Sequence, residues 1–384
     1  MPTPFQQHIL GQLREEGHDI DVTGGGVLKE GGSELADMFR ATTVKQGRGA
    51  MAWRMFQTMA HARHAWPVNL VRDVTALTGA FVRERHREPK DTDYLRGRDE
   101  QRTWVVQDFV RRMLAPGSGF ANPESRTNFQ NAMEMHRSGE DVTWEIIPHS
   151  SEMDPVLMET IVRQEGAYGE QQMRRDAQQF LAQNIIVIGH KVRLSTFHRI
   201  FAGAVNSISI YAPKYREGLT PDEEPVMSAY SDVVNRIMCG IHGSSQMMMT
   251  RCPEGGRMTR DRVIGVYGAV EPPPARLVPV HVEAPHNFMG VDEAADESHR
   301  PAVVKLYVGE PLEITGSGPS QRANNRVHQM HGSLARVNAD VDAYAWAIKK
   351  LVRPQPGQAV DRSKGVPETY RVVIAKKNER RRGS

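Results

Sequence analysis

"DVTWEIIPHSSEMDPVLMETIVRQEGAYGEQQMRRDAQQFLAQNIIVIG", residues 141–189, is the stretch in which the chain changes texture. Thr143 to Ile147 bring β-branched and aromatic residues together over a few positions, which reads as a short strand. Asp154-Pro155 has the form of a helix start, because proline fits the first helical turn. Residues 154–184 read as one long helix weakened at Gly166 and Gly169, or as two shorter ones. "NIIVIG" (184–189) then returns to strand. Strand, helical passage and strand in quick succession place a mixed α and β region here.

Upstream, the signals are helical. "DEQRTWVVQDFVRRMLAPG" (99–117) is a helix stopped by Pro116-Gly117, and "NPESRTNFQNAMEMHRSGED" (122–141) has Pro123 near its start and Gly139 near its end. Before these, Leu70, Val74, Leu77 and Phe81 fall on one helical face. Five glycines between Gly24 and Gly32 form a connector after an opening helix that carries Phe5, Ile9, Leu10 and Leu13.

Downstream, strands dominate: "KVRLSTF", "SISIYA", "DRVIGVYGAV", "RLVPVHVEA", "AVVKLYVGEPLEI" and "TYRVVIAKK". Helices intervene at 220–238 and 324–352. The expected fold class is therefore α+β, with a mostly helical N-terminal part followed by a mixed α/β region. That region has an irregular, largely antiparallel sheet and long Pro/Gly-rich arms such as "YAPKYREGLTPDEEP", "AVEPPPARL" and "VRPQPGQAVDRSKGVPE". The expected domains are 1–140, containing a basic segment at 40–112, and 141–384, ending in a basic C-terminal tail. Strands and helices do not alternate regularly, which disfavours a doubly wound nucleotide-binding fold.

Composition narrows the function classes. The chain has 384 residues, 39% hydrophobic and 25% charged, enough to bury a self-sustaining core. Two cysteines cannot build a disulfide framework, which fits a reducing compartment. No apolar run is long enough to span a bilayer, and the opening residues lack a signal-peptide core, so no membrane partner is expected and the expected location is the cytoplasm or a virion. The net charge of +3 is unevenly distributed: +7 over 40–112 and +8 over 301–384, against −6 over 217–300. Such blocks let copies of a chain dock with opposite potentials facing, or place a basic face on an anion.

Candidate sites are few. Cys239, His242 and Cys252 offer three zinc-type ligands, but a structural site wants four, in two tight pairs. As a thiol site, Cys239 would need His242 as its base. The favoured reading of this stretch is sulfur used for packing, beside Met247, Met248 and Met249. His61/His64 and His328/His331 share helical faces without the glutamate of a zinc-protease motif. "TGSGPSQR" lacks the lysine of a phosphate loop. No cofactor, no metal and no catalytic residue is assigned.

The candidate nucleic-acid contacts are Arg83, Arg85, Arg87, Lys90, Arg96, Arg98 and Arg102, interleaved with Tyr94 and Trp104 as stacking surfaces, and Lys376, Lys377, Arg380, Arg381 and Arg382 in the tail. With no recognised reading motif, such contacts are to phosphate and independent of sequence. The leading expectation is a non-enzymatic structural subunit of coat (capsid) type, whose partners are copies of itself and nucleic acid. The alternatives are a metal- or phosphate-handling enzyme with a site among Cys239, His242, Cys252, His281 and His286, and an RNA-associated scaffold subunit of a ribonucleoprotein.

Overall fold

The computed structural model describes residues 95–189 (apart from 148, 150 and 152), 200–210, 247–252, 276–285, 288, 301–313 and 329–339, with a few positions between 75 and 82. The expected N-terminal helix, the glycine connector, most of the Pro/Gly-rich arms and the basic tail lie outside the described residues.

After a short strand β1 (Leu95–Arg96), helix α1 (Glu100–Met113) begins at Asp99, whose side chain accepts from the Arg102 N–H at 2.9 Å. That bond satisfies one of the orphan donors of the first turn. Strand β2 (Gly119–Phe120) leads to α2 (Pro123–Arg137), capped by Asn122 on the Ser125 N–H at 2.8 Å, with Pro123 in its first turn. Gly139, at φ +95°, takes the left-handed conformation that ends the helix.

Strand β3 (Val142–Ile146) enters the sheet, and the chain then forms two helices, α3 (Asp154–Tyr168) and α4 (Gln171–Gln183). The break falls at Gly169, which is extended. Gly166 sets the crossing: a Cβ built there would overlap the Ala177 Cβ of α4. On an open helix, Gly166→Ala would stabilise by about 1 kcal/mol. Here overpacking reverses the sign, and the expected result is a loss of about 1–3 kcal/mol, read as a lower denaturation midpoint.

The remaining strands are β4 (Asn184–Gly189), β5 (Ser207–Ile210), β6 (Met248–Arg251), β7 (Arg276–Glu283), β8 (Lys305–Val308) and β9 (Leu312–Glu313), followed by helix α5 over residues 329–336. The sheet order is β1-β5-β4-β6-β3-β7-β8-β2, with β9 also on β7. The mixed α and β content agrees with the sequence reading, but the expected antiparallel majority does not hold. Among the described residues, five of the eight strand pairings are parallel, including the whole run β5-β4-β6-β3-β7. Antiparallel pairing is confined to the flanks.

The burial pattern agrees with this topology. All five residues of β3 and all four of β6 are buried, as parallel strands covered on both faces require. Alternate residues go to opposite sides. Val142, Trp144 and Ile146 join Val278, Val280, Val282, Leu306 and Val308 in the principal core, packed with α1 to α4. On the other side, Ile147, Tyr307 and Leu312 meet Met330, Leu334 and Val337 around α5. That second face also carries Glu145, whose carboxylate accepts from Arg251 Nε at 2.6 Å across the β3–β6 register.

Candidate functional site

A groove of ≈ 420 Å³ runs between α1 and the C-terminal half of α3. Trp104 and Tyr168 stand on its walls at 56% and 81% exposure, and Arg98, Gln107 and Arg163 line it between them. Trp104 points outward because the same helix sends Val105, Val106, Phe109 and Val110 into the core.

The wall beneath the aromatics is an ordered polar layer. Arg98 Nη2 donates to Glu159 Oε2 at 2.8 Å, and the Arg98 N–H donates to Asn206 Oδ1 at 3.0 Å. Glu159 is fully buried; burial pushes its carboxyl above the usual range, against the pull of Arg98, Arg163 and Asn184. Arg163 is exposed as a whole, but partial loss of hydration of its guanidinium and the neighbouring Arg98 charge lower its pKa, with Glu159 opposing. Each of these carboxylates is matched by two guanidiniums: Glu159 by Arg98 and Arg163, and Asp108 by Arg111 at 3.0 Å and Arg112 at 2.8 Å. Glu100 is the further acid at the mouth. The arrangement offers two aromatic faces with a small surplus of cationic charge between them.

Of the basic residues expected to face nucleic acid, Arg98 lies in this groove. Arg96 lies in β1, paired with Ser207. Arg102 is buried on α1, 3.7 Å from Asp99. Arg83, Arg85, Arg87, Lys90, Lys376, Lys377, Arg380, Arg381 and Arg382 lie outside the described residues, as does Tyr94. Arg163 and Tyr168 were missed by sequence reading. They sit within two turns of each other in a helix that otherwise reads as core, and only the packing of α3 on α1 brings them beside Trp104.

A second cluster lies at the carboxyl ends of the parallel strands, where open α/β sheets gather their functional groups. His149 follows β3, Cys252 follows β6 directly, and Asp154 opens α3. His149 Nδ1 and Asp154 Oδ2 are 3.1 Å apart, and the Cys252 thiol is the other hydrogen-bonding partner of the imidazole. Asp154 Oδ2 also accepts from the Ser151 N–H at 3.0 Å, while Ser151 Oγ donates to the Phe288 carbonyl at 2.6 Å, tying the turn to the segment after β7. Burial disfavours charge on His149. The Cys252 and Asp154 partners outweigh it, so the imidazole titrates well above its ordinary range.

Cys239, His242 and His286 lie outside the described residues. His281 is buried on β7 with its ring stacked on Tyr307 at 5.8 Å. Among the described residues, the imidazole beside Cys252 is that of His149, which no sequence motif had marked. Its link to a residue so distant in sequence depends on β3 and β6 being parallel neighbours.

Among the described residues, no group of three or more His, Cys, Asp or Glu side chains is arranged to hold a metal ion, and no helix is long and apolar enough to cross a membrane. Comparison with protein-family models yields no match, and comparison with curated proteins yields none either.

Proposed function

We propose that this chain is a structural subunit of coat type, which assembles with copies of itself and holds single-stranded nucleic acid without reading its sequence. The observation that supports the reading is the pair of outward aromatics, Trp104 and Tyr168, beside Arg98 and Arg163 in one groove. Every base has a π-face, so aromatic walls with arginines between them grip a strand by stacking and phosphate contact. The Pro/Gly-rich arms and the alternating charge blocks of the sequence support association between copies.

The test pairs light scattering across a salt series with titration of a fluorescent single-stranded oligonucleotide. Particles much larger than one chain, and an affinity that falls steeply with salt, are the expected results. Trp104→Ala is expected to weaken oligonucleotide binding by about 1–3 kcal/mol, roughly fivefold to a hundredfold, with Tyr168→Ala acting in the same direction. A monomer at every salt concentration that also fails to bind the oligonucleotide would overturn the reading.

A further inference from the structure

We propose that Cys252, His149 and Asp154 form a nucleophilic thiol site that accepts an acyl group from an ester or thioester. The site lies at the N-terminal end of α3, whereas the groove follows the helix from Thr160 onward, about 9 Å further along at a rise of 1.5 Å per residue, and the site does not depend on nucleic-acid binding.

Three features carry the inference. The first is the order of contacts, thiol to imidazole to carboxylate, which is the arrangement by which a base activates a nucleophile and a third group orients the base. With Nδ1 on Asp154, Nε2 is the nitrogen left for the thiol. The second is the gradient of burial. Asp154 is fully buried, while His149, at 14% exposure, and Cys252 each keep part of their surface open to solvent. The third is rigidity: Asp154 is fixed by the Ser151 N–H, and Ser151 is itself anchored to Phe288. A carboxylate held in this way is a positioning residue and needs no contact with substrate.

The chemistry balances with water as its only further reactant. Proton transfer from Cys252 Sγ to His149 gives a thiolate–imidazolium pair, which Asp154 stabilises. The thiolate attacks the acyl carbon, a C–S bond forms, and the bond to the departing oxygen or sulfur breaks. His149 passes its proton to that leaving group. Water then adds to the new thioester while His149 takes its proton and returns it to the departing Cys252 sulfur, releasing a carboxylic acid and restoring the thiol.

The first measurement follows iodoacetamide labelling of Cys252 in the full chain, by peptide mass spectrometry, from about pH 5 to about pH 9. Among the described residues, the titratable groups acting on His149 are Cys252, from the end of β6, and Asp154, from α3. Labelling is expected to persist well below the inflection near 8.5 that marks an ordinary thiol, and His149→Gln and Asp154→Asn should both return it there. An ordinary inflection in the unaltered chain overturns the proposal, whether or not either variant folds. The second measurement exposes the chain to p-nitrophenyl acetate. An acetyl adduct on Cys252, with p-nitrophenol release lowered at least about a hundredfold in Cys252→Ser, is expected. A reactive thiol that gathers no acetyl group also overturns it.

Discussion

Truncating Trp144 to alanine is expected to cost about 3–5 kcal/mol of folding free energy, the range for removing a large aromatic from a packed core. Trp144 is fully buried at the middle of β3, with ring centroids 5.3 Å from Phe129 and 5.4 Å from Phe180, which are themselves 5.6 Å apart. One side chain thus joins α2, α4 and the sheet, and the ring of Phe180 meets it edge-on, at 88°. A domain of ordinary stability holds only about 5–15 kcal/mol, so the variant should unfold at markedly lower denaturant. Circular dichroism in guanidinium chloride is the suitable readout, because Trp144 is one of five tryptophans. A loss below about 1 kcal/mol would mean that this cluster does not hold the fold together.

Arg98→Ala is expected to have the second-largest effect, and one that changes with pH. Glu159 is buried and Arg98 sits at 15% exposure, so removing the guanidinium strands a carboxylate inside the protein. Breaking such a pair costs about 3–5 kcal/mol, and the lower end applies because Arg163 stays beside the acid. Burial already raises the folded-state pKa of Glu159 above its ordinary 4.5. For a raised pKa, the folded state binds the proton more tightly, so stability from this group is complete below the unfolded value and is lost as pH rises through the folded one. Losing Arg98 raises the folded value further. The penalty should therefore be greatest at neutral pH and above, and shrink toward about pH 4.5. Arg98→Ala combined with Glu159→Gln should recover most of the loss, since no buried charge then remains to be matched. A penalty that does not vary with pH would assign it to lost packing.

Much of the local structure was legible in the sequence because its determinants are local. Pro123 and Asp154-Pro155 mark helix starts, Pro116-Gly117 and Gly139 mark helix ends, Gly166 and Gly169 left one long helix or two open, and the runs at 143–147 and 184–189 fall on strands. Strand direction was not legible, since nothing within β3 states that its neighbours β6 and β7 run the same way. Strand β6 itself was hidden. Met248 and Met249 carry no alternation and little β-propensity, and they read as gap-filling sulfur rather than as a central strand. Their burial follows from sheet position, not from composition. The two clusters were hidden for the same reason. Trp104 and Arg98 stood out as a basic and aromatic run, whereas Tyr168 and Arg163 joined them only through helix packing. Cys252 was visible as one of two cysteines, but its histidine came from across the sheet.

The parallel seating of β3 between β6 and β7 also sets an order of events during synthesis. Glu145 and Arg251 pair across β3 and β6 yet stand 106 residues apart in the chain. At ribosomal speeds of about 5–20 residues per second, roughly 5–20 s separate the emergence of the two strands. Within that interval the nascent chain completes α3 and α4, which with α1 and α2 can gather around Trp144, while both backbone edges of β3 wait without a ladder. Contacts this distant in sequence slow closure of the sheet, and an open strand edge is where neighbouring chains misjoin. The helices thus form a cradle that shelters one unpaired strand until the second half of the polypeptide arrives.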